Sequence, residues 1–165
     1  MKDKMLLAGI CVAVRRNQIT GKIDKFFGKN IVTNDGDQFY AEASMGSESW
    51  SVVGMRLGSD PASADVAKDD TDVNSFLTGT QQLIDSGYPM TDDTDSDNVS
   101  SVDIVSWRVS YGSSAANVTS ISELSLVDSA TGPVKALCHA VFATPFAKTS
   151  DDTLKVFVNH QFSGT

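Results

Sequence analysis

The sequence predicts an all-β protein: a two-sheet, jelly-roll-like β-sandwich with one short helix and an N-terminal β-hairpin arm. Its apolar residues occur in short runs that turn residues interrupt. Valine, isoleucine, threonine and serine are abundant, and the first three favour strands. Only one segment has both the composition and the end signals of a helix. We therefore expect roughly eight to ten strands in two packed sheets.

The composition indicates one folded, acidic domain. The chain has 165 residues, of which 41% are hydrophobic and 21% are charged, and these values argue against disorder. The formal net charge is −8 and the sequence pI is about 4.5. A surface of that charge repels phosphate backbones, so we expect no nucleic-acid partner.

The first element is a predicted hairpin of two strands, Met5–Val14 and Gln18–Phe27, joined by a polar turn at residues 15–17. The first strand is too short an apolar run to span a bilayer as a helix. Arg15 and Arg16 follow it where a signal-peptidase site needs small residues. We therefore expect neither a membrane segment nor a targeting segment.

The apolar run of this hairpin also suggests a role in assembly, because large exposed apolar patches usually mark interfaces. We therefore divide the chain into an N-terminal arm, residues 1–27, and a β-sandwich domain, residues 28–165. The domain is expected to fold without the arm but not to assemble without it.

A short extended piece, Ile31–Thr33, comes before the one predicted helix, Asp37–Met45. Asn34 or Asp35 can cap the start of this helix, and Gly46 can end it. Its two adjacent aromatic residues are expected to face the core.

The middle of the chain combines short strands with a long acidic loop. A strand over Trp50–Leu57 runs into the turn at residues 58–61. Residues 59–75 are polar and include five aspartates. A loop of that length usually has a role at a surface or interface. Gln82–Asp85 is expected to be a short strand that ends in the turn Ser86–Pro89.

Four later runs alternate more clearly between apolar and polar residues: Ser101–Tyr111, Ile121–Leu126, Val134–Thr144 and Leu154–Asn159. The first has apolar residues on both faces, which predicts that both faces are covered. The last has one wetter face, which is typical of a strand at the surface.

The sharpest chemical feature is a cluster of four aspartates, Asp92, Asp93, Asp95 and Asp97. Its spacing matches the start of a calcium-binding loop. The match then fails, because the sixth position is Asn98 instead of glycine and the twelfth is Ile104 instead of glutamate. The sequence therefore favours a solvated turn, with a bound cation as the alternative.

The sequence contains no pattern of catalytic or metal-binding residues. His139 and His160 lie on predicted strands without a second histidine or cysteine at zinc spacing, so hydrogen-bonded structural histidines are expected. There is no Gly-x-Ser-x-Gly elbow, no P-loop and no dinucleotide-binding glycine motif. We therefore predict no catalytic, cofactor-binding or metal-binding residues, no cofactor and no enzymatic activity.

Two cysteines, Cys11 and Cys138, lie in apolar runs and are expected to be buried free thiols, with a single bridge between them as the alternative. Two cysteines make no disulfide framework, which favours assembly in a reducing compartment. The larger aromatic residues could form a sugar-binding platform. Their scatter over different elements favours packing in the core or at subunit interfaces: Trp50, Trp107, Tyr40, Tyr88 and Tyr111.

The order of several weak motifs resembles a family of tailed-bacteriophage virion proteins. In that family, an Asn-x-(Val/Thr)-Asn-x-Gly run leads into a helix, a strand ends in a glycine turn, and an Asp-rich loop follows. A Glu-Leu-x-Leu strand, an apolar strand, a Pro/Lys link and a final strand complete the pattern. The corresponding segments here are Asn30–Gly36, Met55–Gly58, Asp69–Asp72, Ser122–Leu126, Val141–Lys148 and Leu154–Phe162. The resemblance covers residues 28–163, and the turn Gly58-Ser59-Asp60 departs from it by lacking the second glycine.

The resemblance implies a β-sandwich structural protein of the virion, without catalytic residues. We expect a capsid decoration (cement) protein that stabilises the phage capsid shell and assembles in the bacterial host cytoplasm. Its expected partners are the major capsid protein or other virion proteins, and a small homo-oligomer such as a trimer is expected. A neck or tail fibre subunit is the alternative within the structural class, and a carbohydrate-binding module is the alternative from another class.

Overall fold

The computed structural model describes residues 6–60 and 66–163. Within these ranges the chain forms nine strands and one helix: β1 (Leu6–Asn17), β2 (Ile23–Val32), α1 (Asn34–Ala43), β3 (Gly54–Gly58), β4 (Gln82–Leu83), β5 (Met90–Thr91), β6 (Ile104–Tyr111), β7 (Val118–Val127), β8 (Ala136–Lys148) and β9 (Asp152–Ser163). The predicted mostly-β class with one short helix is therefore confirmed. No helix in these two ranges is long and apolar enough to cross a bilayer.

The nine strands belong to one antiparallel sheet, in the order β4-β3-β7-β8-β2-β1-β9-β6-β5. This sheet curls into a half-barrel, so the predicted two-sheet sandwich is not confirmed. The reason lies in β1 and β9, which pair along their full lengths, from Leu6 opposite Ser163 to Asn17 opposite Asp152. Because β1 also pairs with β2 and β9 also pairs with β6, these long strands join two halves that a sandwich would separate.

The predicted N-terminal arm lies at the centre of this sheet. β1 lies between β2 and β9, and the domain boundary expected after residue 27 falls inside β2. The hairpin turn lies at residues 18–22, not at residues 15–17. Residues 6–27 are therefore not a separate arm, because both neighbours of β1 belong to the main sheet.

Side-chain interactions explain why β1 continues through the polar residues that were expected to turn. Arg15 forms an ion pair with Asp24 across the hairpin at 2.8 Å. It also donates a hydrogen bond to the Ala147 carbonyl oxygen at 2.6 Å. The turn begins only after Asn17, whose side-chain oxygen accepts a hydrogen bond from the Thr20 N–H at 2.9 Å.

The helix begins three residues earlier than predicted. Thr33, which the sequence assigns to an extended piece, is its N-cap, and Thr33 Oγ1 accepts a hydrogen bond from the Gly36 N–H at 3.0 Å. Gly36 is required there, because a Cβ atom would overlap the Leu137 carbonyl oxygen of β8. The aromatic residues Phe39 and Tyr40 pack against the core, as predicted.

The remaining predicted strands are present with different ends. The strands expected over Trp50–Leu57 and Gln82–Asp85 correspond to the shorter β3 and β4. The four later runs correspond to β6, β7, β8 and β9, of which the last three are longer than predicted. The sequence did not indicate β5, because a strand of two residues has no periodic signal.

The sheet has a core face and an outer face, and alternate residues of a strand belong to each. On β1, Cys11 and Ala13 belong to the main core, against which helix α1 packs. Val12 and Val14 instead form a second, smaller apolar cluster with Phe157. We define the outer face as the side of the sheet that holds this smaller cluster.

Candidate functional site

An exposed apolar strip lies on the outer face of β1 and β2. Its residues Ile10, Ile23 and Phe27 are 39%, 44% and 48% exposed, respectively. Phe27 pairs with Val12 and Ile10 pairs with Lys29, so these side chains share the outer face. Ile10 and Phe27 also line an open cavity of about 750 Å³. We call the three residues the outer strip, and such exposure on central strands is typical of an interaction surface.

The 91–98 loop lies on the outer face of β6 and β9. Lys155 Nζ lies 2.9 Å from an Asp95 oxygen and 3.1 Å from an Asp97 oxygen. Arg108 Nη1 lies 3.1 Å from Asp95. Burial by itself would raise the pKa of Asp95, but the nearby cations outweigh it and hold this pKa below its ordinary value. The sheet therefore supplies the positive charge that neutralises this loop.

Neutral polar groups hold the other end of the 91–98 loop. The Asn98 amide donates a hydrogen bond to Asp93 at 2.8 Å, and the Asn159 amide donates one to Asn98 at 2.8 Å. Ser106 donates to Asn159 at 2.8 Å, which extends the network into the sheet. The Tyr88 hydroxyl donates to Asp93 at 2.9 Å, and burial together with this hydrogen bond raises the pKa of Tyr88 to about 12. The loop is thus bound to the sheet, unlike the solvated turn that the sequence favours.

The second acidic segment, the 59–75 loop, is held by a buried glutamate of β7. Glu123 is completely buried, and its carboxylate accepts hydrogen bonds from three backbone N–H groups of the loop. These donors are Ser75 at 2.9 Å, Asn74 at 3.0 Å and Asp60 at 3.2 Å. His139 Nε2 lies 2.7 Å from the same carboxylate. Burial would raise the pKa of Glu123, but these donors outweigh it and lower the pKa below its ordinary value.

His139 lies between two carboxylates, since its Nδ1 atom is 2.6 Å from Asp70 and its Nε2 atom faces Glu123. The imidazole is fully buried. Burial by itself would lower its pKa, but the hydrogen bonds to Glu123 and Asp70 outweigh burial, and the pKa is raised. Both ring nitrogens are engaged, so neither is free to exchange a proton with a substrate. The Asp70–His139–Glu123 group therefore fastens the 59–75 loop to the sheet.

Arg56 of β3 forms the third connection to the 59–75 loop and the segment that follows it. Its Nε atom lies 3.0 Å from an Asp72 oxygen, and its guanidinium stacks 3.5 Å from the Phe76 ring centroid. Burial is the main cause of the raised pKa of Asp72, and Arg56 opposes it. Val66 of the same loop lines the cavity beside the outer strip, so the loop borders this exposed apolar surface.

His160, the other histidine, lies on the core face and is neutral. Its Nδ1 atom is 2.6 Å from the Tyr40 hydroxyl, and its Nε2 atom is 2.6 Å from the Asn30 amide. Burial lowers the pKa of His160 to about 3. Both histidines are therefore buried and hydrogen-bonded, as the sequence predicts.

The two cysteines, Cys11 and Cys138, are buried free thiols, which confirms the prediction. Burial is the main cause of the raised pKa of both thiols, and the pKa of Cys138 reaches about 12. Across residues 6–60 and 66–163, no group of three or more His, Cys, Asp or Glu side chains is placed to hold a metal ion.

Three of the scattered aromatic residues, Tyr40, Trp50 and Trp107, pack around Phe39, whereas Tyr88 lies against Arg108 beside the 91–98 loop. Phe39 lies 5.2 Å from Trp50 and 6.2 Å from Trp107, measured between ring centroids. Trp107 and Tyr111 are only 3% and 1% exposed, which confirms the core packing predicted for them. Trp50 is only partly buried and lines an open cavity.

Sequence reasoning did not identify the side chains that hold the two acidic loops. Glu123 occupies one polar position in an alternating strand, where a solvent-exposed glutamate is the ordinary interpretation. Arg108 and Lys155 are distant in sequence from the carboxylates that they bind. One signal could have identified them: a buried acidic cluster requires basic partners, and lysines and arginines inside predicted strands are the candidates.

Comparisons with protein-family models, with curated proteins and with solved structures find no match for this chain. The geometry of the outer face and the sequence resemblance therefore remain the two sources for a functional proposal.

Proposed function

We propose that this protein is a structural component of a phage virion, a capsid decoration protein that binds the assembled shell through its outer strip. The observation that favours this function is the exposure of Ile10, Ile23 and Phe27 between two firmly held acidic loops. A neck or tail fibre subunit would use the same surface and is the alternative. Localisation in the virion and the identity of the shell protein are parts of this proposal.

The outer strip is suited to binding because it is apolar and preorganised. Full burial of a large apolar side chain contributes about 1.5–3 kcal/mol, so burying the exposed half of each residue contributes roughly 1 kcal/mol. β1 and β2 are internal strands of the sheet, so little backbone freedom remains to be lost when a partner binds.

The charge around the strip indicates the chemistry of its partner. Lys29 and Arg16 lie opposite Ile10 and Ile23 on the same face, and the two loops beside the strip are rich in aspartate. We therefore propose a partner surface with an apolar centre, acidic groups opposite Lys29 and Arg16, and basic groups opposite the loops. Complementary charge of this kind speeds association and selects the partner.

Binding to particles tests this proposal. The double variant Ile10→Ser/Phe27→Ser should fold but lose co-sedimentation with virions stripped of the native protein. The matched control is Leu83→Ser, which removes a 63% exposed apolar residue from β4, at the edge of the sheet. Normal binding by the double variant, or absence of the wild-type protein from purified virions, would contradict the proposal.

We also propose that the protein forms a small homo-oligomer, such as a trimer. Light scattering on the wild type and on the double variant measures this state directly. A double variant that is monomeric but still sediments with particles would assign the outer strip to contacts between copies instead of to the shell.

A further inference from the structure

The outer strip lies on internal strands of the sheet, which limits how a partner can bind to it. β1 pairs with β2 on one side and with β9 on the other. β2 pairs with β1, and from Gly28 onward it also pairs with β8. Beside the cavity that Ile10 and Phe27 line, the backbone groups of both strands are therefore bonded to neighbouring strands, and a partner cannot add a strand there. The partner has to contact this surface through its side chains.

The two acidic loops make this surface the floor of a groove that runs along the strands. The 91–98 loop is bound to β9 through Lys155, and the 59–75 loop is bound to β8 through His139. β2 and β1 lie between β8 and β9, so three strand spacings, roughly 14 Å, separate the strands that hold the loops. An α-helix with its side chains is about 10–12 Å wide and fits this separation. An extended segment on the same apolar floor would leave its own backbone N–H and C=O groups without partners.

Two cations at opposite ends of this floor have no partner of their own. Lys29 lies opposite Ile10 at the cavity, and Arg16 lies opposite Ile23, about 20 Å further along β1. In the part of the chain that the structure describes, neither cationic group forms an ion pair or a hydrogen bond. The other three arginines of the chain each pair with a carboxylate. Two unpaired cations on one face of a chain with a net charge of −8 therefore indicate that carboxylates of the partner lie opposite them.

We propose that the outer strip receives an amphipathic α-helix of the shell protein. The apolar side chains of this helix lie on Ile10, Phe27 and Ile23, and an acidic side chain near each end faces Lys29 or Arg16. At 1.5 Å per residue, about 14 helical residues span the roughly 20 Å between the two cations. This inference rests on the proposed function, which supplies the partner, and it adds the kind of element that binds.

Photo-crosslinking to virions stripped of the native protein tests the kind of element. p-Benzoylphenylalanine replaces Phe27 in one full-length sample and Ile23 in another, and mass spectrometry identifies the cross-linked residues of the shell protein. The two positions are four residues apart on β2, or about 13 Å. A helix covers that distance in about nine residues and an extended segment covers it in about four. We expect cross-links about nine residues apart. A separation of about four residues, or cross-links to unconnected segments, would overturn the helix.

Charge reversal tests the acidic side chains of the helix on the same particles. Lys29→Glu should weaken co-sedimentation by at least about tenfold, because like charges would then face each other. The matched control, Lys135→Glu, makes the same change of net charge in the loop between β7 and β8 and should bind like the wild type. Equal binding by the two variants would overturn the acidic contact at Lys29. Should Lys29→Glu fail to fold, the cross-link spacing still decides.

Failure of this inference can be distinguished from failure of the proposed function. Normal binding by Ile10→Ser/Phe27→Ser would overturn both, because the outer strip would then not be the contact surface. Loss of binding by that double variant, together with a cross-link spacing of about four residues, would leave the proposed function standing and overturn the helix alone.

Discussion

The two acidic loops of the outer face have similar compositions but are held by different chemistry. The 91–98 loop is neutralised by Lys155 and Arg108, whose side chains are 39% and 25% exposed. The 59–75 loop is fastened by Glu123 and His139, whose side chains are fully buried. One loop therefore depends on partly exposed, permanently charged cations, and the other depends on a buried histidine that titrates.

The aspartate content of a loop alone therefore does not determine how its stability changes with mutation, pH or salt. When a buried carboxylate has three N–H donors and a histidine as partners, removing any one partner lowers the free energy of unfolding substantially. An exposed ion pair contributes little, because water competes for both charges. The stabilities of the two loops should therefore change differently with mutation, pH and salt.

The largest expected difference is between alanine substitutions of the two central carboxylates. Glu123→Ala leaves a buried histidine and three loop N–H groups without their acceptor, so it should lower the free energy of unfolding by about 3–5 kcal/mol. Asp95→Ala leaves Lys155 free to contact water, so a loss of about 1 kcal/mol is expected. Urea denaturation at neutral pH measures both values. Equal losses would show that the burial of Glu123 does not distinguish the two loops.

The fold could be predicted as far as residue patterns reach. Alternation located most strands. Patterns do not specify which strands pair, so the joining of the two halves by β1 and β9 was not predictable. The expectation that residues 28–165 fold alone stays a prediction, and the sheet order argues against it. Deletion of residues 1–27 would remove β1 from the centre of the sheet.

The candidate surface was only partly predictable for a related physical reason. The apolar run in β1 and the length of the 59–75 loop pointed to an interface, and both border the outer strip. The partners of the acidic groups come from distant strands, so their pairing depends on strand register.

A rise of pH above 6.5 should loosen the 59–75 loop and leave the 91–98 loop unchanged. The pKa of His139 is raised in the folded protein, so its stabilising effect is complete below the ordinary value of 6.5 and is lost as pH rises through the folded value. The pKa of Glu123 is lowered, so its effect is complete above the ordinary value of 4.5 and is lost as pH falls through the folded value. The loop is therefore held most firmly from pH 4.5 to 6.5.

Hydrogen exchange measures this effect at the individual amides. Protection factors of the Asn74 and Ser75 amides, which contact Glu123, should fall as pH rises above 6.5, because His139 then loses its proton. The Asp97 amide, which donates to Asp95, should keep its protection over this range. His139→Gln should abolish the pH dependence. Parallel changes at all three amides would contradict the separate control of the two loops.

Salt should produce the smallest difference between the two loops, and it should affect the 91–98 loop instead of the 59–75 loop. Salt screens exposed charges and leaves buried pairs nearly unaffected. Lys155→Met removes two ion pairs in which the ammonium is 39% exposed and the carboxylates of Asp95 and Asp97 are 12% and 14% exposed, and it should cost about 1 kcal/mol at low ionic strength. At about 1 M NaCl the Debye length falls to about 3 Å, and this cost should become smaller, because the Lys155 ammonium is partly exposed to solvent. The cost of Glu123→Ala should stay the same.

Salt also relieves the repulsion within a chain of net charge −8, so each variant is compared with the wild type at the same salt concentration. A Lys155→Met cost that persists in high salt would mean that the 91–98 loop is held as a buried network, and the contrast between the two loops would disappear.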